Sequence, residues 1–414
     1  MAIHITPDAQ RQIRGGHPWL FDQAIKKQSH NGGPGDLAVI YDRNNNFLAI
    51  GIYDPFSPIR VRVLQNKKPA EINIGWFAAK IRAAAEIRNF LSSSAAFEGG
   101  GTNGYRLVHG ENDGLPGLVI DRYANSFVVK IYTAAWVVHL ADVVAALLEV
   151  VSQVERVVLR INRLGCERPE HLHGLENGRV IFGPPFNKAG VDGAVVFKEN
   201  GLLFEVDPVK GQKTGFFLDQ RENRARVEKI SGGKDVLDVF SYCGAFSLYA
   251  ARGGAKSVTG IDISKIAIVA SKRNFGLNSG ASGITGERIA ACRQIYITGD
   301  AFKEMEKLRR DGKSYDLVIV DPPPFAKKKG EVKGAIKAYS KLTRLALGVL
   351  RRGGVLVACS CSSRVTAEEF FRAVFESARG VNRNLKEIER SQHAVDHPIG
   401  FPEGAYLKCL IANA

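Results

Sequence analysis

The 414-residue chain has no run of about 20 consecutive apolar residues, so no transmembrane helix and no membrane partner are expected. Its first residues, Met1 to Asp8, are neither basic nor followed by an apolar stretch, which argues against a signal peptide. Cysteine is scarce: the six at 166, 243, 292, 359, 361 and 409 are too scattered for a disulfide framework, and a reducing, cytoplasmic setting fits them better. Internal repeats and low-complexity tracts are lacking, which argues against a solenoid or a fibrous protein. Acidic residues are in deficit, with 42 Asp plus Glu against 57 Lys plus Arg and a net charge of +15. That excess suits a polyanionic partner such as nucleic acid and a merely solvated basic surface about equally, and charge alone does not separate them. What remains is ordinary globular composition, 45% hydrophobic and 24% charged, in a chain long enough for sizeable cores.

The hydrophobic patterning changes twice along the chain. Up to about residue 75, short apolar or alternating runs (Leu37 to Tyr41, Phe47 to Tyr53, Ile59 to Leu64) are separated by turn residues, which predicts a small β barrel. From Ile74 to Leu91 the spacing is helical, with Trp76, Phe77, Ile81, Ala84, Ala85, Ile87 and Phe90 or Leu91 as the apolar stripe. After a glycine-rich break, Glu98 to Gly101, strands at 118–120, 126–132, 157–161 and 195–197 and a helix near 137–151 predict an α+β middle domain. Beyond Glu205, apolar strands at 236–240, 257–262, 294–298, 316–321 and 354–360 alternate with helices at 244–251, 264–274 and 338–350. That rhythm predicts a doubly wound, mostly parallel sheet. The expected domains are 1–75, 76–205 and 206–414.

In such a sheet, ligands lie beyond the carboxyl ends of the strands. The stretch Asp235 to Ala255 is an apolar strand, a tight turn with Gly244, and a helix that starts at once. A glycine there lets a ligand approach the backbone. Asp262 ends the next strand, where a carboxylate can accept hydrogen bonds from both hydroxyls of a ribose. Asp300 follows the third strand and Asp321 the fourth. Any one of these could be a helix cap or a turn residue, but acidic residues at successive strand ends favour a ligand crevice. Dinucleotides and S-adenosylmethionine both suit it. Asp321-Pro-Pro-Pro-Phe325 separates them, because a rigid turn after an Asp can hold a flat base against an aromatic ring, as nucleobase methyltransferases require.

Ala358 to Ser363 also follows a strand and carries Cys359 and Cys361. Carbon 5 of a pyrimidine is a poor nucleophile until a thiolate adds at carbon 6, so a cysteine facing the base is what that chemistry needs. A basic surface nearby would favour the thiolate. A lone Cys-x-Cys is poor zinc spacing, and Cys166, His171 and His173 are read as part of a surface loop, so no metal is expected.

Motifs along nearly the whole chain resemble one family. Gly16 to Phe21 is similar to the opening of its PUA domain, a small RNA-binding barrel. Tyr105 to Tyr123 is similar to its α+β middle domain, and Lys213 to Asn223 to the segment that leads into its catalytic domain. Phe240 to Phe246 resembles its cofactor loop, Asp321 to Phe325 its base-binding loop, and Ser360-Cys-Ser362 its cysteine motif. His397-Pro and Phe401 to Lys408 resemble its tail. The family is that of ribosomal RNA large subunit methyltransferase I, the cytosine-carbon-5 enzymes of bacterial 23S rRNA. The resemblance implies a Rossmann-like class I methyltransferase domain, S-adenosyl-L-methionine as cofactor and large-subunit ribosomal RNA as partner, and it leaves a homodimer open. It implies Cys361 rather than Cys359 as nucleophile, with Asp321 as a second catalytic residue. Gln220, Arg221, Asp238, Phe240, Tyr242, Gly244, Asp262, Ile263, Asp300 and Asp321 match cofactor positions. Asp262 would hold the ribose and Asp300 the adenine edge. Pro322, Pro323, Phe325, Lys327 and Lys328 match substrate positions.

Departures from the family pattern are Pro324, where the family commonly has Lys, and residues 163–184, which match poorly and receive no role. The base that takes the carbon-5 proton is left open among Asp321, Glu403 and a water, since Lys408 stands near the place where uridine-carbon-5 enzymes have a terminal Glu. The rival functions are a guanine or exocyclic-amine methyltransferase, which needs no cysteine, and a non-catalytic RNA-binding or assembly protein on the same fold. The charge excess is concentrated in residues 206–414, which hold 35 basic and 22 acidic residues, Lys327 to Lys329 among them. An RNA backbone held near the methyl-transfer site explains that asymmetry.

Overall fold

The computed structural model describes residues 1–93, 101–162, 166, 168–186, 194–280 and 282–414. Residues 98–100 of the expected glycine-rich break and 163–165 and 167 of the poorly matching segment lie outside the described residues. The chain forms two compact units: Met1–Gly201 with Val206–Leu218 and Asp396–Phe401, and Leu202–Glu205 with Asp219–Val395 and Pro402–Ala414.

The first unit begins with β1 (Ala2–Ile5), α1 (Pro7–Arg14), β2 (Trp19–Phe21), β3 (Ile25–Gln28), β4 (Leu37–Tyr41), β5 (Phe47–Tyr53) and β6 (Ile59–Asn66). The strands form one sheet in the order β2-β6-β5-β4-β1-β3. Thr6 starts α1, its hydroxyl accepting from the N–H of Ala9, and Pro7 takes the first helical position, where a missing N–H is harmless. Next come α2 (Ile74–Ser93), β7 (Gly104–His109), β8 (Leu118–Tyr123), β9 (Ser126–Ile131), α3 (Leu140–Val150), β10 (Arg156–Ile161) and β11 (Val180–Phe182). Their strands make a second sheet, β11-β10-β9-β8-β7, with a core that includes Phe77, Ile81, Phe127, Val129, Trp136 and Leu159.

Two expectations need correcting here. Ile87 lies on the exposed side of α2, 54% accessible, and of the alternatives Phe90 and Leu91 it is Leu91 that turns inward. The buried face runs through Phe77, Ile81, Ala84, Arg88 and Leu91, which is helical i+3 and i+4 spacing with a charged residue inside it. Arg88 is tolerated because its guanidinium pairs with the buried carboxylate of Asp113 at 2.7 Å, and its Nε donates to the carbonyl of Arg106 at 2.6 Å. Cys166 is not in a surface loop. It joins the core of the second sheet, and burial pushes its thiol up to about 11. His171 stacks on Phe56 with ring centres 4.7 Å apart.

β12 (Val195–Glu199) and β13 (Leu202–Val206) come next along the chain. The second unit then contains α4 (Arg221–Ile230), β14 (Asp235–Val239), α5 (Ala245–Arg252), β15 (Ser257–Asp262), α6 (Lys265–Ser279), α7 (Ile284–Ala291), β16 (Arg293–Thr298), α8 (Ala301–Arg310), β17 (Tyr315–Val320), α9 (Val332–Val349), β18 (Leu350–Ser360), α10 (Ala367–Arg379), β19 (Lys386–Ser391) and β20 (Lys408–Asn413). The sheet order is β16-β15-β14-β17-β18-β20-β19. The first five strands are parallel, and β20 runs antiparallel to both its neighbours. Strands buried on both faces must be apolar throughout. Leu237, Val239, Val318, Val320, Leu356 and Ala358 accordingly share one core with Tyr339, Leu342 and Phe370 from the helices. The strand order reverses between β14 and β17, which opens a crevice at their carboxyl ends.

Candidate active site

The crevice is built from the loops after β14, β15, β17 and β18. In the first, the chain takes left-handed backbone conformations at Phe240 (φ 65°), Tyr242 (φ 49°) and Gly244 (φ 72°). Non-glycine residues rarely adopt this region, and clusters of them mark functional turns. Gly244 has a second reason to be glycine: an added Cβ would lie 2.0 Å from the Ser271 hydroxyl oxygen. Asp262 holds this turn in place. One of its carboxylate oxygens accepts from the N–H of Tyr242 at 2.9 Å and the other from the N–H of Ser264 at 2.8 Å. Ile263 beside it is 73% exposed, an apolar side chain in contact with solvent.

Asp238, one residue before the end of β14, is buried. Its Oδ2 accepts from the N–H and hydroxyl of Ser247 at 3.1 and 2.7 Å, while its Oδ1 and the nearby Ser241 hydroxyl have no hydrogen-bond partner among the described residues. Burial is the main cause that pushes this carboxyl up to about 6, the Ser247 hydrogen bonds pull against it, and the charge of Asp262 adds to it. Asp300 caps α8, accepting from the N–H of Lys303 at 3.0 Å. Gln220 and Arg221 are buried at the start of α4. The side-chain oxygen of Gln220 accepts from Asn223 at 2.6 Å, and the Arg221 guanidinium pairs with Glu222 at 3.0 Å.

Across the switch point, Asp321 follows β17 and Cys361 follows β18. The Cys361 thiol reaches the carbonyl oxygen of Pro322 at 3.6 Å, so the Pro-Pro-Pro loop and the cysteine are adjacent. Pro323 and Pro324 are exposed, and Phe325 packs on Tyr339 with ring centres 4.9 Å apart. Lys327 and Lys328 point their backbone N–H groups at the Glu331 carboxylate, 2.7 and 3.1 Å away, which holds Glu331 below the usual carboxylate range.

Three residues whose roles no spacing pattern reveals complete this half. Ser360 and Ser362 are fully buried on either side of Cys361. Ser360 donates to the Tyr339 hydroxyl at 2.8 Å, the Tyr339 and Ser362 hydroxyls are 2.9 Å apart, and the Ser362 oxygen accepts from the N–H of Phe325 at 3.1 Å. Ser362 thus ties the two loops together, and Ser360 ties the cysteine segment to Tyr339 on α9. Tyr339 leaves no comparable sequence signal, because an aromatic on a helix face reads as plain core. Cys359, by contrast, is buried against Cys409, which drives its thiol well above the ordinary range.

The chain can be compared with known proteins on this basis. A family model described as S-adenosylmethionine-dependent methyltransferase matches residues 191–412, and a PUA-like domain model matches residues 3–66. The chain is 46% identical to a ribosomal RNA large subunit methyltransferase of Deinococcus radiodurans, over 99% of this chain and 96% of that one. It is 36% identical to ribosomal RNA large subunit methyltransferase I of Pseudoalteromonas translucida, over 100% and 99%. The chain belongs to the ribosomal RNA large subunit methyltransferase I family. A solved Streptococcus mutans structure, assigned as a SAM-dependent methyltransferase, shares the fold over the full length of both chains with a TM-score of 0.79 at 22% identity. Another solved relative, complexed with SAH, gives 0.81 at 22% over the full length of both chains.

The cofactor of the family is S-adenosylmethionine, and the crevice fits it. The Gly244 turn leaves room that a Cβ would fill, and Asp238 and Ser241 present buried polar atoms without a hydrogen-bond partner among the described residues. Asp262 ends β15 and Asp300 lies just beyond the end of β16, the side of the sheet on which such folds bind ligands. Among the described residues no helix is long and apolar enough to cross a membrane, and no group of three or more side chains could hold a metal ion.

Proposed function

We propose that this methyltransferase makes 5-methylcytidine in large-subunit ribosomal RNA in the cytoplasm, through a transient bond between Cys361 and carbon 6 of the cytosine. The observation that carries the reading is the setting of Cys361. Of the six cysteines it is the one that is not buried, and it lies at the mouth of the crevice against the Pro322 carbonyl. A methyltransferase that acts on an exocyclic amine has no use for an accessible thiol there.

When bound, the cofactor supplies an electrophilic methyl group on a sulfonium. The Cys361 sulfur adds to carbon 6, and the electron pair of the 5,6 double bond moves to make carbon 5 nucleophilic. Once carbon 5 carries the methyl group, loss of its proton restores the double bond and expels the sulfur. Asp321, at the neighbouring strand end, is the proposed partner that fixes the base edge. Asp262 would orient the ribose of the cofactor, Asp300 the adenine edge, Asp238 a donor at its methionine end, and Ile263 would cover the adenine. Pro322, Pro323 and Phe325 would form the wall for the cytosine, and Lys327 and Lys328 would meet the RNA backbone. The names of the relatives and the surplus of cations in residues 206–414 support ribosomal RNA as the substrate.

The test is Cys361→Ala assayed with labelled cofactor on unmodified ribosomal RNA. Activity should vanish, and so should covalent trapping on 5-fluorocytidine RNA; full activity in the variant sinks the covalent mechanism.

A further inference from the structure

Lys408 opens β20, where its backbone lies opposite Ser360 of β18. Lysines are almost never fully buried unless paired, yet this side chain is 4% exposed. No carboxylate pairs with it among the described residues. Its ammonium instead donates to two carbonyl oxygens, those of Ser362 and Val365, each at 2.7 Å. Both belong to the turn that leaves Cys361. A buried amine held by two acceptor-only groups needs its protons, so the hydrogen bonds favour the charged form that burial opposes. The balance leaves it at about 8, with burial lowering it and the charges of Cys361 and Glu369 both supporting the ammonium.

The groups around the thiol divide by sign. Asp321 carries a negative charge at the neighbouring strand end, which disfavours a thiolate. Tyr339 on α9 is kept neutral by burial, which raises its pKa, and its hydroxyl is engaged with Ser360 and Ser362. On α10, the carboxylate of Glu369 is occupied by the N–H and hydroxyl of Thr366, at 2.9 and 3.0 Å. Lys408 is the cation in this set.

We propose that Lys408 is a positioning residue for Cys361: it pins the turn after the cysteine through two carbonyls and sets a fixed positive charge near the thiol, so that the thiolate is favoured close to neutral pH. A buried cation is worth more here than the exposed Lys327 to Lys329, because water and salt screen it less. The electrostatic effect is reciprocal, since the charge of Cys361 that holds the proton on Lys408 is the same interaction that removes the proton from Cys361.

The inference rests on the reading of Cys361 as nucleophile for its catalytic meaning, but its test does not need methylation. The rate of iodoacetamide alkylation of Cys361 is followed by peptide mass spectrometry from pH 5 to 10 in the full-length protein. The five buried cysteines serve as internal controls for folding. The wild type should titrate below about 8.5, the ordinary value for a cysteine. Lys408→Met should slow alkylation at pH 7 roughly tenfold, as expected when the thiol pKa rises by about one, and Lys408→Arg should restore most of the rate. A Lys408→Met protein that keeps its thermal midpoint and shows the wild-type pH profile overturns the inference. So does a wild-type thiol that titrates at or above about 8.5, whichever variants fold. If Lys408→Met displaces the titration while Cys361→Ala still methylates RNA, Lys408 tunes the thiol and the nucleophile reading fails; an undisplaced titration with an inactive Cys361→Ala gives the reverse.

Discussion

The carboxyl of Asp238 offers a quantitative test of the cofactor crevice. In the unfolded chain it releases its proton near 3.8; buried at the end of β14 it does so at about 6. The folded state therefore holds more protons between those values, and stability falls as pH rises through that window. The contribution is fully present below about pH 4 and lost above about pH 6. A carboxyl pKa higher by about two corresponds to about 3 kcal/mol, an upper figure for the cost of keeping this carboxylate ionised at neutral pH. Asp238→Asn keeps an acceptor for the N–H and hydroxyl of Ser247 and cannot ionise. Its stability relative to wild type should be near zero at about pH 4 and rise by up to about 3 kcal/mol by about pH 7, read as the difference in urea midpoints across the pH range.

The proposed reason to retain such a cost is ligand binding. The partnerless Oδ1 would receive a hydrogen bond from a donor at the methionine end of S-adenosylmethionine. Binding near pH 5 should then release a proton, seen as a calorimetric enthalpy that depends on the ionisation heat of the buffer, and this release should disappear by about pH 7.5. Asp238→Asn should lose cofactor affinity while gaining stability. A variant with the wild-type stability profile would refute the burial argument. One that is stabilised but binds the cofactor normally, without proton release in the wild type, would remove Asp238 from the site.

Gly244→Ala should weaken cofactor binding at least tenfold and lower stability by about 1–3 kcal/mol, since the new methyl group collides with Ser271 at a left-handed position; calorimetry and urea unfolding read the two effects. Arg88→Ala should cost about 3–5 kcal/mol in urea unfolding, because it leaves the Asp113 carboxylate buried without its partner. Asp113→Ala should be comparably destabilising by the same measurement, and a loss below about 1 kcal/mol in both would contradict the buried pair. Replacing Lys327, Lys328 and Lys329 together by Ala should weaken RNA binding and flatten the dependence of log affinity on log salt by roughly one for each lost phosphate contact; unchanged affinity and slope in filter binding would dissociate this loop from the RNA backbone.

The parallel strands of the second unit are legible in the sequence because burial on both faces forces continuous apolar runs. The expected strand 257–262 coincides with β15, and 236–240 and 316–321 fall within one residue of β14 and β17. The turn at Gly244 and the acidic strand ends are legible for the same reason, since strand ends fix where a crevice can lie. The helices are less so. α9 starts at Val332, six residues before its expected start, because its first turn carries the exposed Lys333 and Gly334 between Val332 and the buried Ala335, too little to mark an apolar stripe. What periodicity does not reach is polar chemistry placed inside the core. Arg88 falls on a face that an apolar count assigns to its neighbours, and its partner Asp113 lies 25 residues away. Ser360, Ser362, Tyr339 and Lys408 meet around Cys361 from three parts of the chain, and the bonds that join one part to another span 21 residues or more.

These misses share a physical cause. A buried polar side chain is tolerated only where a specific partner meets it, and that partner is set by tertiary geometry rather than by spacing along one element. A site that must hold a thiol and two loops in fixed relation collects such pairs. It follows that pattern-based errors in this fold should concentrate where the chemistry is. Ser360, Ser362, Tyr339 and Lys408 meet that expectation, whereas Arg88 belongs to the other unit and answers to stability alone. Stability and thiol reactivity should therefore respond separately to variants of the two groups.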